Sequence, residues 1–202
     1  LGDAITEFDG DPDASVAIIT GAGRAFCAGR DLKERAADNA EGIQARASQS
    51  MSSDRPYMWP QTWKPLIAAV NGYALAGGWS IAQMCDLRVA SEDAQLGISE
   101  TKWSLLPPFG TILPKMISLP AVLELVFTAA PISAQRAYEI GFVNRVVPAD
   151  KLMEEAMALA DTMVVMNQGL IEQVESENEL AAILGHELGH FANRDHLRGL
   201  GR

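Results

Sequence analysis

Two glycine-rich segments are placed where the backbone itself could do chemistry. Residues 21–29 follow an apolar run at 15–20, and residues 71–78 follow another at 66–70. A turn between a buried strand and a helix presents unpaired N–H groups at the helix N-terminus, which favours negative charge. One such turn alone is better explained as a tight connection. The first segment is not a GxGxxG dinucleotide pattern, because Ala25 and Phe26 occupy its later positions. It is not a P-loop either, because no Gly-Lys-Ser/Thr follows it.

A second group of reactive side chains, His186, Glu187 and His190, lies near the C-terminus. Histidines four residues apart share one face of a helix and can both reach a zinc ion, and a glutamate between them can activate a water. A catalytic zinc also needs a third protein ligand, which the residues after His190 are not expected to supply. We therefore expect at most a weak zinc site at His186 and His190, and no proteolysis.

Composition places the chain among ordinary globular proteins. The 202 residues are 48% hydrophobic and 21% charged, which suits one domain or a domain with an appendage. A net charge of −10 argues against a nucleic-acid partner. No signal peptide and no apolar run of the ~18 residues that span a bilayer is visible. Cys27 and Cys85 form no Cys-x-x-Cys pair, so we expect free thiols in a reducing compartment, the cytoplasm.

The periodicity of the apolar residues predicts alternating strands and helices. Strands are predicted at 15–20, 66–70, 86–90 and 142–147, and helices at 77–85, 114–128, 133–141 and from Asp150 to about 165. Gly141 is expected to end the third of these helices and Asp150 to cap the fourth. The order predicts an α/β layered fold. After a break at 167–169, a separate amphipathic helix is predicted over 170–192.

Four segments, in this order, resemble the enoyl-CoA hydratase/isomerase (crotonase) family. They are Ala-Phe-Cys-Ala-Gly-Arg-Asp-Leu-Lys at 25–33, Val-Asn-Gly-Tyr-Ala-Leu-Ala-Gly-Gly at 70–78, Met-Cys-Asp-Leu-Arg-Val-Ala at 84–90, and the stretch 132–147. The resemblance covers about residues 1–163. It implies an α/β spiral of ββα units, here incomplete because the family's first strands and final helices have no counterpart, followed by a C-terminal helical appendage.

The C-terminal stretch, about 167–202, resembles something else: the HExxH segment of gluzincin metallopeptidases of the prenyl-protease type. Two domains are therefore expected, an acyl-CoA domain over 1–165 and a metallopeptidase-like helical tail over 166–202. A gene fusion, a rearranged locus and an assembly artefact all remain open as the origin of this combination.

The crotonase resemblance implies a site for a coenzyme A thioester. The thioester oxygen would be held by the backbone N–H groups of Arg30 and Gly77, an oxyanion hole. The substrate would lie against a further set of residues: Ala28, Asp31, Leu32, Gly78, Trp79 and Trp103. The two tryptophans would wall an acyl pocket, and an ordinary packing role is the open alternative for them. The side chain of Arg30 could meet a phosphate of coenzyme A, and a solvated arginine is the open alternative there.

Family hydratases use two glutamates, and here the first of those positions is Ser80 and the second is Glu100. Hydration is readily served by two carboxylates, whereas moving a double bond needs one base that takes a proton from one carbon and returns it to another. The resemblance therefore favours a Δ3,Δ2-enoyl-CoA isomerase slightly over a 2-enoyl-CoA hydratase. Ser80 could still hold a water for Glu100.

The resemblance also sets expectations for partners. Coenzyme A enters as part of the substrate, and no other cofactor is required. Family members assemble into trimers or hexamers, so a homo-oligomer is expected, although the missing helices weaken that expectation. No membrane partner is evident. The main alternative is a catalytically impaired acyl-CoA-binding protein, and the remaining one is a zinc metallopeptidase.

Overall fold

The structure, a computed structural model, describes residues 1–29, 62–107, 110, 112–163 and 176. In this part of the chain the strands form two sheets of four. The first sheet is wholly parallel, with the order β1 (Ala17–Thr20), β3 (Leu66–Val70), β5 (Leu87–Ser91) and β8 (Arg145–Val147). The second has the order β2 (Ala25–Cys27), β4 (Tyr73–Leu75), β6 (Gln95–Gly97) and β7 (Ile132–Ser133), of which only β7 is antiparallel.

The chain crosses from the first sheet to the second in each successive turn. β1 leads into β2, β3 into β4 and β5 into β6. This order agrees with the predicted spiral of ββα units. Among the described residues, the α-helices are α1 (Gly2–Gly10), α2 (Gly77–Met84), α3 (Leu119–Thr128), α4 (Ala134–Glu139) and α5 (Leu152–Asp161), and short 3-10 helices lie at Glu100–Trp103, Leu113–Lys115 and Ala149–Lys151.

The central strand of the first sheet explains why its sequence is a continuous apolar run. All five residues of β3 are buried, because a parallel strand with neighbours on both sides is also covered on both faces. β1 is only half-buried, with an exposed last residue, which corrects the prediction of a buried strand at 15–20. Among the described strands β1 pairs with β3 alone, so it lies at an edge.

Two helix predictions are corrected. The helix expected over 114–128 is broken: a 3-10 helix ends at Lys115, and α3 restarts at Leu119 with Pro120 in its first turn. Proline lacks an N–H and fits the first turn of a helix rather than its interior, so the helix begins again there. Asp150 does not cap α5, because it lies inside the 3-10 helix that precedes it.

The end of α4 follows the prediction. Gly141 has a φ of 83°, and the N–H of Phe142 bonds to the carbonyl of Ala137 at 2.9 Å, as in a glycine-terminated helix. The strand expected at 142–147 is shorter, because Phe142 and Val143 are buried in this turn and pairing begins at Arg145.

The contact pattern groups Leu1–Asp161 as one compact unit and Thr162–Arg202 as another. Nearly all of the second unit lies outside the described residues, and so the domain boundary expected at 165 remains a prediction. In the part of the chain that the structure describes, no helix is both long and apolar enough to cross a membrane.

Candidate active site

The predicted site segments follow the carboxyl ends of three neighbouring strands. β2, β4 and β6 run parallel, so their carboxyl ends meet at the same edge of the second sheet. Ala28 and Gly29 follow β2, Gly77 comes two residues after β4, and Glu100 comes three residues after β6. Clefts at the carboxyl ends of parallel strands are common places for ligands. Three distant parts of the sequence are therefore brought to one edge.

The two glycine turns touch each other. A Cβ added at Gly77 would lie 3.8 Å from the Cα of Gly29, and one added at Gly29 would lie 3.7 Å from the nitrogen of Gly77. Gly29 has a φ of 90°, which side-chain-bearing residues rarely adopt. Arg30, whose N–H is the first predicted donor, is the next residue in the sequence and lies outside the described residues.

Gly77 begins α2, so its N–H is one of the helix's orphan donors. The residue before it, Ala76, has φ 52° and ψ −113°, a strained backbone that costs on the order of 1–3 kcal/mol. Two hydrogen bonds hold it there. Its N–H donates to the carbonyl of Gly97 at 3.0 Å, and its carbonyl accepts from the N–H of Ser80 at 3.1 Å. The helix start is therefore fixed against the strand that leads to Glu100.

Gly78 is required for a different reason. A Cβ at this position would overlap the carbonyl oxygen of Cys27 and lie 3.1 Å from that residue's Cβ. The absence of a side chain lets the first turn of α2 pack directly on the end of β2. Gly78 thus permits the close approach of the two turns.

Glu100 begins a 3-10 helix and is half-buried. Its Oε2 is buried and has no hydrogen-bond partner among the described residues. Burial raises the pKa of the carboxyl group, and hydrogen bonds from the backbone N–H groups of Glu100 and Ser99 offset part of that rise. A carboxylate with one free oxygen and a raised pKa is suited to accept a proton.

Neighbouring residues hold the backbone of Glu100 in place. The hydroxyl of Thr101 donates to the carbonyl of Val126 in α3 at 2.7 Å. The N–H of Leu105 donates to the carbonyl of Glu100 at 3.1 Å. Ile98, between β6 and the 3-10 helix, is fully buried. Glu100 is thus anchored to both the second sheet and α3.

The remaining described candidates differ in their surroundings. Ser80 is buried in α2, one turn after Gly77. Trp79 is fully buried, stacks on Phe142 with ring centroids 4.1 Å apart, and donates from Nε1 to Gln83 Oε1 at 3.0 Å. That environment favours the packing interpretation of Trp79 over the acyl-pocket one. Trp103 is 59% exposed, and its role as a pocket wall stays a prediction.

Several predicted residues lie outside the described part of the chain: Arg30, Asp31, Leu32, His186, Glu187 and His190. Their assigned roles remain predictions. Within the described residues, no three His, Cys, Asp or Glu side chains come together as a metal site would require.

Two positioning residues were not singled out from the sequence. Asn71 bridges to the junction between β1 and β2, accepting from the N–H of Gly21 and donating to the carbonyl of Gly23, both at 3.0 Å. Arg88 is buried and donates to carbonyls at the C-terminal end of α2, those of Ala82 and Cys85. Each residue lies inside a quoted segment, but a single sequence gives no sign of which distant groups it bonds.

Comparison with known proteins fits this geometry. The family model for enoyl-CoA hydratase/isomerase matches residues 1–184. A probable enoyl-CoA hydratase of Mycobacterium bovis, echA8, is 38% identical over 169 residues, covering 81% of this chain and 63% of that protein. A carnitinyl-CoA dehydratase of Salmonella typhi is 39% identical over 173 residues, with the same coverage, 81% and 63%. A crystal structure of an enoyl-CoA hydratase subunit from Geobacillus kaustophilus superposes with a TM-score of 0.68 at 41% identity, covering 79% of this chain and 61% of that one.

The chain therefore belongs to the enoyl-CoA hydratase/isomerase family, and its fold is the crotonase fold. It spans less than two thirds of the length of these relatives, 63% and 61%. The family match runs to residue 184, beyond the 1–163 that the sequence segments indicated. It stops before His186, and the metallopeptidase resemblance of the tail remains a prediction.

Proposed function

We propose that this chain activates an acyl-CoA thioester at the shared edge of β2, β4 and β6. The thioester oxygen would accept hydrogen bonds from the N–H groups of Arg30 and Gly77, and Glu100 would move the proton. The observation that carries the proposal is the contact between Gly29 and Gly77, beside a strand that leads to a half-buried carboxylate.

Electrostatics explains why this arrangement is productive. Removing a proton from carbon 2 pushes negative charge onto the thioester oxygen, and each well-placed donor stabilises that charge by about 3 kcal/mol. Gly77 adds the positive end of the α2 dipole. The absence of side chains at 77 and 78 lets the thioester approach the backbone closely.

Isomerisation is the form of this chemistry that we favour. Ser80 stands where family hydratases have their first glutamate, so Glu100 acts without that partner. In a 3-enoyl-CoA, Glu100 would take a proton from carbon 2, the oxyanion hole would hold the resulting dienolate, and the same carboxyl would return the proton to carbon 4. The product is the conjugated 2-enoyl-CoA.

Hydration is the second candidate, and the names of the relatives favour it, since they include enoyl-CoA hydratases and a carnitinyl-CoA dehydratase. In that reaction the Ser80 hydroxyl would hold the water that Glu100 activates. The buried position of Ser80 in α2 is compatible with such a role.

The remaining expectations are part of the proposal. Ala28, Asp31, Leu32 and Gly78 would contact the substrate, which brings its own coenzyme A, and moving one proton needs no further cofactor. We propose a homo-oligomer in the cytoplasm, in keeping with the two free thiols. A weak zinc site at His186 and His190 is retained for the tail alone.

The test is turnover of two substrates by the purified full chain. A 3-enoyl-CoA should gain ultraviolet absorbance as the conjugated 2-enoyl product forms. If only a 2-enoyl-CoA reacts, with loss of absorbance, hydration replaces isomerisation. Binding of either thioester without turnover would leave the acyl-CoA-binding alternative, and absence of binding would contradict the proposal altogether.

A further inference from the structure

The side chain of Asn71 joins the two junctions at which the chain crosses between sheets. It lies directly after β3, and it contacts the corresponding junction between β1 and β2. Its Oδ1 accepts from the N–H of Gly21 at 3.0 Å, and its Nδ2 donates to the carbonyl of Gly23 at 3.0 Å. One amide group therefore satisfies both a donor and an acceptor of the β1–β2 junction.

The packing around this link leaves no room for side chains. A Cβ at Gly72 would overlap the carbonyl of Arg24, and one at Gly21 would overlap the carbonyl of Ala25. The backbone entering β2 is thus pressed against the backbone entering β4. The two hydrogen bonds of Asn71 are directional, so they can fix the position of the β1–β2 junction along the backbone that enters β4.

The strands themselves fix that position weakly. β2 and β4 share two paired positions, Ala25 with Tyr73 and Cys27 with Ala74, and the register shifts between them. A slip of one residue displaces a strand by about 3.3 Å. An active site tolerates a displacement of only about 0.5 Å. The far end of β2 leads to Gly29, which contacts Gly77. A shift of β2 would therefore move Gly29 along Gly77.

We propose that Asn71 is a positioning residue of the oxyanion hole: by holding the start of β2, it sets where Gly29, after the far end of β2, lies along Gly77. This inference rests on the proposed function. It predicts that losing the amide impairs the chemical step more than substrate binding.

The test combines kinetics with the infrared carbonyl band of bound butanoyl-CoA, isotopically labelled at the thioester carbonyl. In the unchanged protein the oxyanion hole should shift this band to lower frequency. Asn71→Ala should lose at least about half of that shift and lower kcat roughly 10–100-fold, with KM changed less than about threefold. Thr20→Val is the matched control. It removes a 2.9 Å bond from the Thr20 hydroxyl to the Ala69 carbonyl, at the same end of the first sheet, and should lower stability alone.

Asn71→Asp provides a rescue. As a neutral acid it can donate to Gly23 and accept from Gly21, whereas as a carboxylate it can only accept. The carbonyl shift in this variant should therefore return as the pH is lowered, while that of the unchanged protein stays constant. This comparison of the carbonyl shift across pH tests the role of Asn71 even if Asn71→Ala does not fold.

A full carbonyl shift and full kcat in Asn71→Ala, with stability lowered as in Thr20→Val, would overturn the role of Asn71 and leave the proposed function standing. A pH-independent shift in Asn71→Asp, equal to that of the unchanged protein, would do the same. If the unchanged protein binds butanoyl-CoA without any shift, the oxyanion hole itself is absent and both proposals fall together.

Discussion

Glu100 is the residue on which the proposed chemistry depends. Its Oε2 is buried without a partner among the described residues, and burial raises the pKa of the carboxyl group. A general base works best when its pKa approaches the working pH, so the same burial that disfavours the carboxylate also makes it a better proton acceptor.

Replacing this carboxyl tests its role. Glu100→Gln should lower kcat by roughly 10²–10⁴-fold because the amide cannot accept the proton, while substrate binding changes little. In the unchanged protein, the rate should rise with pH through the raised pKa of Glu100, as the reactive carboxylate forms. Steady-state kinetics across pH would measure both. The exposed Glu92 gives the control, and Glu92→Gln with an equal loss would contradict the assignment.

The raised pKa also predicts how stability depends on pH. A carboxyl whose pKa is higher in the folded than in the unfolded state favours folding while it is protonated, and this contribution is lost as the pH rises through the folded pKa. Glu100→Gln should therefore stabilise the protein at neutral pH. Below the ordinary glutamate pKa, where both side chains are neutral, the difference should disappear.

Denaturant unfolding of the two proteins at neutral and acidic pH would measure this difference. A Glu100→Gln protein that is less stable than the unchanged one at neutral pH would mean that the carboxylate is favourably bound in the folded state, against the account given for its burial.

Two neighbouring glycines at the start of α2 have different surroundings. A Cβ at Gly77 meets Gly29 at an ordinary van der Waals distance, 3.8 Å, whereas one at Gly78 overlaps the carbonyl of Cys27. Gly77 leaves open the space where the proposed thioester would approach, and Gly78 makes room for the backbone of Cys27.

A matched pair of substitutions separates these functions. Gly77→Ala should fold with near-normal stability and lose activity, because the methyl group stands where the thioester would approach. Gly78→Ala should lose stability by about 1–3 kcal/mol through overpacking. Thermal unfolding and kinetics on both variants would measure this. Equal stability of the two, or full activity of Gly77→Ala, would contradict the arrangement.

Long apolar runs allowed the sequence to predict β3, β5 and α2 to within one residue. The three-residue strands β2 and β4 gave no periodic signal of their own, and they were implied only by the family resemblance. The break before α3 was missed because the buried apolar residues Ile117, Ala121 and Leu125 recur every four residues, as in one helix, although Pro120 favours a new start.

The candidate site was predicted from motifs rather than from periodicity. The glycine turns and Glu100 were found through their resemblance to the family, and the structure places them at one sheet edge. Asn71 could not be found in this way, because its partners lie 50 and 48 residues away and only the crossing of the sheets brings them together.

Across the molecule, Arg88 connects the C-terminal end of α2 to the turn that follows α4. Its guanidinium donates to carbonyls at the end of α2 and to that of Phe142 beyond α4, and it lies 5.1 Å from the Phe142 ring centroid. Burial lowers its pKa. Cys85, next to it, is also buried, and burial raises the pKa of that thiol to about 12.

Cys85 should therefore report opening of the whole fold. At pH 8 about one Cys85 in ten thousand would be a thiolate, given a pKa of about 12. A thiol reagent should modify the half-buried Cys27 first, and Cys85 only at denaturant concentrations that unfold the protein. Cys27→Ser isolates the slow thiol. Rapid reaction of Cys85 in that variant without denaturant would show that the core opens locally.

The central claim is that the edge of β2, β4 and β6 activates carbon 2 of an acyl-CoA through Glu100. The most direct test is nuclear magnetic resonance of a 3-enoyl-CoA that carries two deuterium atoms at carbon 2, incubated with the protein in ordinary water. Loss of one of the two deuterium atoms from carbon 2 is predicted for the unchanged protein and not for Glu100→Gln. Retention of both by the unchanged protein, or equal loss with Glu100→Gln, would contradict the claim.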